Sequence, residues 1–249
     1  SHRSSGPYET GDGVRFTELT NYRSSARDHD AYDVTTAWVR AFAAPAGGHE
    51  LNLSLARQEA GDVLYPALRM DAEYDDTDRV VLGYSWAPAA GPVAALRATA
   101  YATRVDHWMT DTLRTSSVGA PRGWSMGTLA TTEMVGATAE AEVGQLVLGA
   151  EAYSRSWAAW TEMAGMGYLR QHSIPDVRLE VLGLSARWRT ALAATTSLEV
   201  SARGDRFDSE ADPSLANTDL YAAYHETRST RFASDAASFG LRVEHAFGA

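Results

Sequence analysis

The sequence alternates most clearly in Arg79-Val-Val-Leu-Gly-Tyr-Ser-Trp86, where every second residue from Val80 onward is bulky and apolar. In an extended chain such residues lie on one face, and the residues between them lie on the other. The segment Pro88-Ala-Ala-Gly-Pro92 then supplies a short turn, and residues 93–105 return with a similar period of two. The pattern therefore predicts two antiparallel strands joined by a short connection.

Comparable alternation marks further segments, each separated from the next by turn or loop composition. Together these segments predict an all-β protein of roughly ten antiparallel strands. The predicted strands cover residues 14–26, 31–43, 50–59, 78–87, 93–106, 129–143, 146–158, 177–190, 196–207 and 235–247.

The connections between the predicted strands alternate between short and long. The short ones lie at residues 44–49, 88–92, 144 and 191–195, and the long ones at 59–77, 107–128, 159–176 and 208–235. This alternation is typical of an antiparallel transmembrane β-barrel with short periplasmic turns and long extracellular loops. The alternative is a soluble β-sandwich or propeller, but its strands usually have about 5–6 residues and these are longer.

In a transmembrane barrel the apolar side of each strand meets lipid and the charged side meets a wet lumen. We therefore expect Leu182, Leu184 and Trp188 to face outward and Arg187 and Arg189 to face inward. The same reasoning assigns the aromatic residues near the short turns to the periplasmic membrane interface.

Composition excludes several classes of protein. All 22 basic residues are arginine and there is no cysteine, so lysine chemistry, thiol nucleophiles and zinc–thiolate sites are excluded. The net charge of −10 argues against nucleic acid as a partner. No run of residues qualifies as a transmembrane helix. The chain begins at Ser1 without methionine or a signal-peptide pattern, and we interpret it as a piece of a longer protein.

Several stretches resemble one family of membrane proteins. Leu64-Tyr65-Pro66, followed by Met70-Asp-Ala-Glu-Tyr-Asp-Asp-Thr-Asp-Arg79, resembles TonB-dependent outer-membrane receptors, most closely the copper-receptor group. Weaker matches follow in one order along the chain. They are Val105 to Met109, Met126 to Thr128, Gly149 to Tyr153 with Arg155 and Trp157, Ser173 to Val177, Asn217 to Tyr221, and Tyr224-His225 with Thr227 to Thr230.

The resemblance implies a barrel of about 22 strands, filled by a plug domain and energised by the TonB complex. Residues 1–249 then represent part of the barrel domain, with the plug absent. The implied location is the outer membrane of a Gram-negative bacterium, where lipid and lipopolysaccharide surround the protein. The implied function is uptake of a scarce nutrient, with copper as the candidate, and no resident cofactor is expected.

His107-Trp108-Met109 is the candidate metal-binding segment. Residues two apart in an extended chain point to the same side, so His107 and Met109 form one pair of soft ligands that suits Cu(I). The copper-receptor group uses a His-x-Met pair together with plug residues, and these two positions match that pair. Two ligands are too few for a complete site, and the alternative is an ordinary loop histidine beside a methionine that fills a gap.

Two further functions stay open at this point. A passive porin-like channel would share the strand pattern. A serine hydrolase would use Ser125, because Gly123-Trp-Ser-Met-Gly127 matches the G-x-S-x-G nucleophile motif. That motif requires a buried strand before the serine and a helix after it, and the proline and charge upstream of Gly123 do not fit. We interpret the match as coincidence and expect no enzymatic activity.

The acidic stretch from Asp71 to Asp78 raises the question of a calcium site. It lacks the glycine and the terminal glutamate of an EF-hand loop, so a solvated base of a loop is the favoured interpretation.

Overall fold

The computed structural model describes residues 1–4, 6–19, 21–118, 124–163 and 170–247, with the backbone alone for residue 19. Within these residues ten antiparallel strands form a single sheet, and each strand pairs with its neighbours in the chain. The strands are β1 His2–Arg3, β2 Asp33–Ala43, β3 His49–Val63, β4 Asp71–Trp86, β5 Val93–Thr110, β6 Met126–Val143, β7 Leu146–Met163, β8 Gln171–Ala193, β9 Thr196–Glu210 and β10 Arg231–His245.

Helical structure in the described residues is short. Helices α1 Phe16–Leu19 and α2 Thr218–His225 are accompanied by 3₁₀ turns at Ser24–Ala26 and Thr115–Ser117. None of the helices in the described part of the chain is long and apolar enough to cross a membrane.

The all-β prediction is confirmed, and nine of the ten predicted strands correspond to β2–β10. The strand expected over residues 14–26 is wrong, because this segment forms α1 and a 3₁₀ turn. Its apolar residues do not line a sheet face: Tyr22 and Ala26 pack against Leu64 in a small core beside the sheet.

The strands extend beyond their predicted ends on one side of the sheet. The long connections therefore shrink to residues 64–70, 111–125, 164–170 and 211–230, while the short turns stay at the opposite ends of the strands. The turn between β6 and β7 has only two residues, and Gly144 adopts a φ of 60° there, a conformation that glycine reaches without strain. The predicted division into short turns and long loops is confirmed.

The two faces of the sheet differ in exposure. Along β8, Leu182 and Leu184 are 52% and 61% exposed, whereas Val181 between β7 and β9 is 5% exposed. Side chains crowd together on the concave side of a curved sheet, so the more buried face is the inner one. Arg187 and Arg189 lie on that inner face, where they approach Glu199 and Glu244 respectively. This agrees with the orientation expected from the sequence.

The outer face carries a continuous apolar band near the short turns. Strand pairing aligns Leu53 of β3 with Leu82 of β4 and Ala100 of β5, and Leu184 of β8 likewise lies between Ala150 and Gly204. Each strand contributes about four alternate residues, which corresponds to roughly 20–25 Å along the strand.

A cross-strand row of charges borders this band on the side of the long loops, and on β8 and β9 the next row toward the band, Glu180 and Asp208, is charged as well. Strand pairing places its eight residues next to one another from β3 to β10. This charged row consists of Arg57, Asp78, Arg104, Glu133, Ser156, Arg178, Glu210 and Arg231. Apart from Ser156, positive and negative side chains alternate along it. Ion pairs join its neighbours in three places, at N–O distances of 3.0, 2.9 and 3.6 Å.

Candidate functional site

His107 and Met109 lie near the end of β5 that leads into the long connection 111–125. Strand pairing sets His107 opposite Asp75 of β4 and Ala130 of β6, and Met109 opposite Thr128. The pairing between β5 and β6 is regular from Ala95 to Thr110, so the two side chains share the inner face. The shared side agrees with the sequence analysis, but both residues lie within β5 and not in the long connection expected over residues 107–128. Whether they bind metal stays a prediction.

Asp75 orients the imidazole of His107. The Nδ1 atom of His107 lies 3.0 Å from Oδ2 of Asp75, and both side chains are largely shielded from solvent. A carboxylate can only accept a hydrogen bond from this nitrogen, so the geometry favours the tautomer with the proton on Nδ1. Nε2 then presents its lone pair, which is the arrangement found in metal sites where a carboxylate holds the histidine ligand.

Two more thioethers lie on the inner face near this pair. Met126 and Met163 are directly paired across β6 and β7, and Thr128, the partner of Met109, is two residues from Met126. In the described residues no group of three or more histidine, cysteine or acidic side chains is arranged to hold a metal ion. The local donors are therefore one imidazole and several sulfur atoms, a set that favours a soft cation over a hard one.

The acidic stretch from Asp71 to Asp78 belongs to β4 and does not form a loop base. Its carboxylates bind different partners. Asp75 contacts His107, and Asp78 pairs with Arg57. Glu73 accepts hydrogen bonds from the indole N–H of Trp108 and from the hydroxyl of Thr110. Alternation along the strand and a bulge between Ala72 and Tyr74 keep these carboxylates apart. The stretch supplies ion-pair partners and a histidine-orienting group.

Ser125 does not lie in a nucleophile elbow. Gly123 falls outside the described residues, but the element that follows the serine is the strand β6. The G-x-S-x-G motif places the serine at a strand-to-helix turn, whose helix end assists the nucleophile. The local structure therefore does not support the hydrolase interpretation.

A buried ion pair beside the candidate site was missed by the sequence reasoning. Asp71 at the start of β4 accepts hydrogen bonds from Nε of Arg114 at 2.8 Å, from the hydroxyl of Tyr22 at 2.7 Å and from the backbone N–H of Tyr65 at 2.8 Å. The guanidinium of Arg114 also lies 3.7 Å from the centre of the Tyr22 ring. These contacts join the N-terminal segment to the β3–β4 and β5–β6 connections. The residues that make these contacts are up to 92 positions apart in the sequence, so a local sequence pattern does not predict them.

The contacts among Tyr22, Tyr65, Asp71 and Arg114 define a loop cluster at this end of the sheet. Burial is the largest influence on the pKa values of its two tyrosines. It raises the pKa of Tyr22 well above the ordinary value, and the hydrogen bond to Asp71 raises it further. Burial likewise raises the pKa of Tyr65. Both phenols therefore stay protonated and able to donate hydrogen bonds across the physiological pH range.

The fold is that of a meandering all-β membrane barrel, of which the chain supplies ten consecutive strands. No protein-family profile and no curated protein sequence matches the chain. Among solved structures it is similar to "Copper transporter OprC", with a TM-score of 0.71 over 92% of the chain. The two sequences are 16% identical, and the chain spans 36% of the length of that transporter. This likeness establishes the fold.

Proposed function

We propose that the chain is a barrel segment of an outer-membrane transporter that takes up a scarce nutrient through TonB, with copper as the candidate substrate. The fold supports a barrel with an apolar outer band and a charged inner face. The observation that carries the substrate proposal is the inner-face pair His107 and Met109, with Nδ1 of His107 held by Asp75. The similarity to a copper transporter points in the same direction.

The proposed role of each residue follows from its chemistry. Nε2 of His107 and the thioether of Met109 bind Cu(I), because both are ligands that this ion prefers. Asp75 keeps the imidazole in the tautomer that binds and fixes the plane of the ring. A plug domain supplies further ligands, and TonB acts on that plug to release the ion inward.

The test is metal content of the intact membrane protein. The double variant H107A/M109A should bind Cu(I), or its analogue Ag(I), with affinity lowered by about tenfold or more, since loss of even supporting groups costs this much. A matched control is H172A/M134A, which removes an imidazole and a thioether elsewhere on β6 and β8. Unchanged metal content in H107A/M109A would refute the copper site while leaving the barrel unaffected.

A passive porin-like channel is the alternative, and energy dependence separates the two. Copper uptake by cells should stop when the proton-motive force is collapsed, since a TonB-driven transporter draws on it. Uptake that persists under this treatment, together with steady ion conductance in a planar bilayer, would instead favour the porin.

A further inference from the structure

The N-terminal segment is fastened to the chain immediately beyond β5. The backbone N–H of Arg23 donates a hydrogen bond to the carbonyl of Leu113 at 2.8 Å, and the N–H of Thr115 donates to the carbonyl of Asn21 at 2.8 Å. These bonds lie just beyond Thr110, the last residue of β5. The segment therefore crosses the end of the strand that carries the candidate metal-binding pair.

Buried side chains of the loop cluster join this segment to the ends of β4 and β5. Asp71, the first residue of β4, pairs with Thr110 at the end of β5. The guanidinium of Arg114 donates to the carboxylate of Asp71 and, at 2.7 Å, to the hydroxyl of Tyr22, which itself donates to Asp71 at 2.7 Å. All four residues are at most 6% exposed, so these contacts are shielded from water and hold the two strand ends firmly together.

The metal-binding pair faces β4 on the two sides of a bulge. Met109 pairs with Ala72, His107 pairs with Asp75, and the register shifts between Ala72 and Tyr74. A bulge increases the local twist of its strand and redirects the side chains beside it. The direction in which Asp75 points toward His107 therefore depends on how both flanks of the bulge are held, and the loop cluster holds the flank at the start of β4.

A second connection leads from the loop cluster toward the same carboxylate. The backbone N–H of Tyr65 donates to Asp71 at 2.8 Å, and its carbonyl accepts from Arg114 at 3.1 Å. Burial raises the pKa of the Tyr65 phenol, and the negative charge of Asp75 raises it further. Two routes, the start of β4 and the side chain of Tyr65, therefore connect the cluster with the group that orients His107.

We propose that Tyr22 and Arg114 are positioning residues for the metal-binding pair: through Asp71 they fix the bulge of β4 and hold Asp75 where it orients His107. The inference rests on the copper site proposed above and adds the N-terminal segment to it. Neither residue touches the ion. Their contribution is geometric, because a site binds well only when its ligands are held to within about 0.5 Å of the required arrangement.

The variant Y22F tests this role with a small change. It removes one hydroxyl, and Asp71 keeps its bonds to Arg114 and to the backbone of Tyr65, so the fold should persist. Binding of Ag(I) alone to the intact membrane protein should weaken by about threefold to tenfold, the usual range for a group that acts through its neighbours. Y221F is the matched control, because Tyr221 lies in α2 and contacts His225 in a different long connection.

Nitrogen-15 NMR of the His107 ring supplies a readout that a purely structural role would not change. The signal is assigned by its absence in H107A, and it reports which ring nitrogen carries the proton. The original protein should show the proton on Nδ1, which faces Asp75, whereas Y22F should show a mixture of the two tautomers.

The outcomes separate this inference from the copper site. If H107A/M109A loses Ag(I) but Y22F changes neither the Ag(I) affinity nor the ring signals, the positioning role is overturned and the site survives. Equal weakening by Y22F and Y221F would also overturn it, because the effect would then not belong to this cluster. Unchanged Ag(I) binding in H107A/M109A would overturn the site itself and the positioning role with it.

Discussion

The ten-stranded sheet and the loop cluster at its long-loop end bury their side chains to different extents. In the apolar band large side chains such as Leu184 and Leu182 stay more than half exposed, whereas Arg114 and Asp71 of the cluster are 3% and 4% exposed. The sheet is held by backbone pairing and offers its apolar surface to an external partner. The loop cluster has a small core of its own. Stability of the two regions should therefore respond to different kinds of change.

The largest effect is expected when the buried ion pair of the loop cluster is broken. The variant R114M leaves the carboxylate of Asp71 buried without its cation, which costs about 3–5 kcal/mol. Hydrogen exchange should show this loss at the backbone amides of Tyr65 and Thr115, which are bonded within the cluster. Amides in the middle of β5 should keep their protection.

The control for this variant is R27A. Arg27 forms an ion pair with Glu18 in the same N-terminal segment, but the side chain of Arg27 is 61% exposed, in contrast to the buried Arg114. Its loss should cost less than about 1 kcal/mol. If R114M weakens the middle of β5 as much as the loop cluster, the two regions unfold together and the comparison fails.

The next effect tests the sheet. Replacing Leu184 by arginine places a charge at the middle of the apolar band, which costs about 2–4 kcal/mol when that band faces lipid. Denaturant unfolding of the protein in phospholipid vesicles measures the loss. The matched change L220R lies on the exposed helix α2, outside the sheet, and should be nearly neutral. Equal tolerance of both changes would show that the band does not meet lipid.

The smallest effect concerns a single loop carboxylate. Asp212 accepts hydrogen bonds from the hydroxyl of Ser214 at 2.6 Å and from its backbone N–H at 2.8 Å, and these donors lower the pKa of Asp212. Because the pKa of Asp212 is lower in the folded protein, this carboxylate stabilises the fold at pH values above its ordinary pKa. The stabilisation is lost as the pH falls through the lowered pKa. The variant S214A should raise the pKa of Asp212 toward its ordinary value.

A carbon-13 NMR titration of the carboxyl group measures this shift. S229A is the control, because the hydroxyl of Ser229 donates to the backbone carbonyl of Arg231 and accepts from the N–H of the same residue. A titration of Asp212 that is the same in S214A and in the unchanged protein would show that the backbone N–H alone holds the carboxylate.

The sequence predicts the sheet well because each strand carries its information locally. Alternation from Val80 to Trp86 is enough to assign the strand and its faces, and it places His107 and Met109 on one side. The loop cluster could not be predicted in this way, since Asp71 and Arg114 are brought together by strand pairing across 43 residues. The orienting contact between Asp75 and His107 likewise depends on the register of β4 against β5.

Strand length was underestimated for a related reason. Charged positions at the long-loop ends of β4 and β9 have the composition of a loop. They nevertheless continue the strands, where Asp75 pairs with His107 on the next strand and Asp208 pairs with Arg206 on its own strand. For residues 14–26 the error was the opposite one: a strand was predicted where none forms. Tyr22 and Ala26 of this segment pack in the loop core and not on a face of the sheet.

The charged row also bears on how the strands find their correct alignment. A slip of one residue between β5 and β6 would turn every apolar side chain of the slipped strand to the wrong face. The loss of the apolar outer face is enough to disfavour that pairing. A slip of two residues keeps the faces, and the repeated Ala98, Ala100 and Ala102 would fit almost equally well. In that slipped sheet Glu133 would stand opposite Asp106 or Ala102 in place of Arg104. Alternating charge therefore distinguishes alignments that small apolar side chains cannot, and it does so at the end of the sheet where the long loops begin.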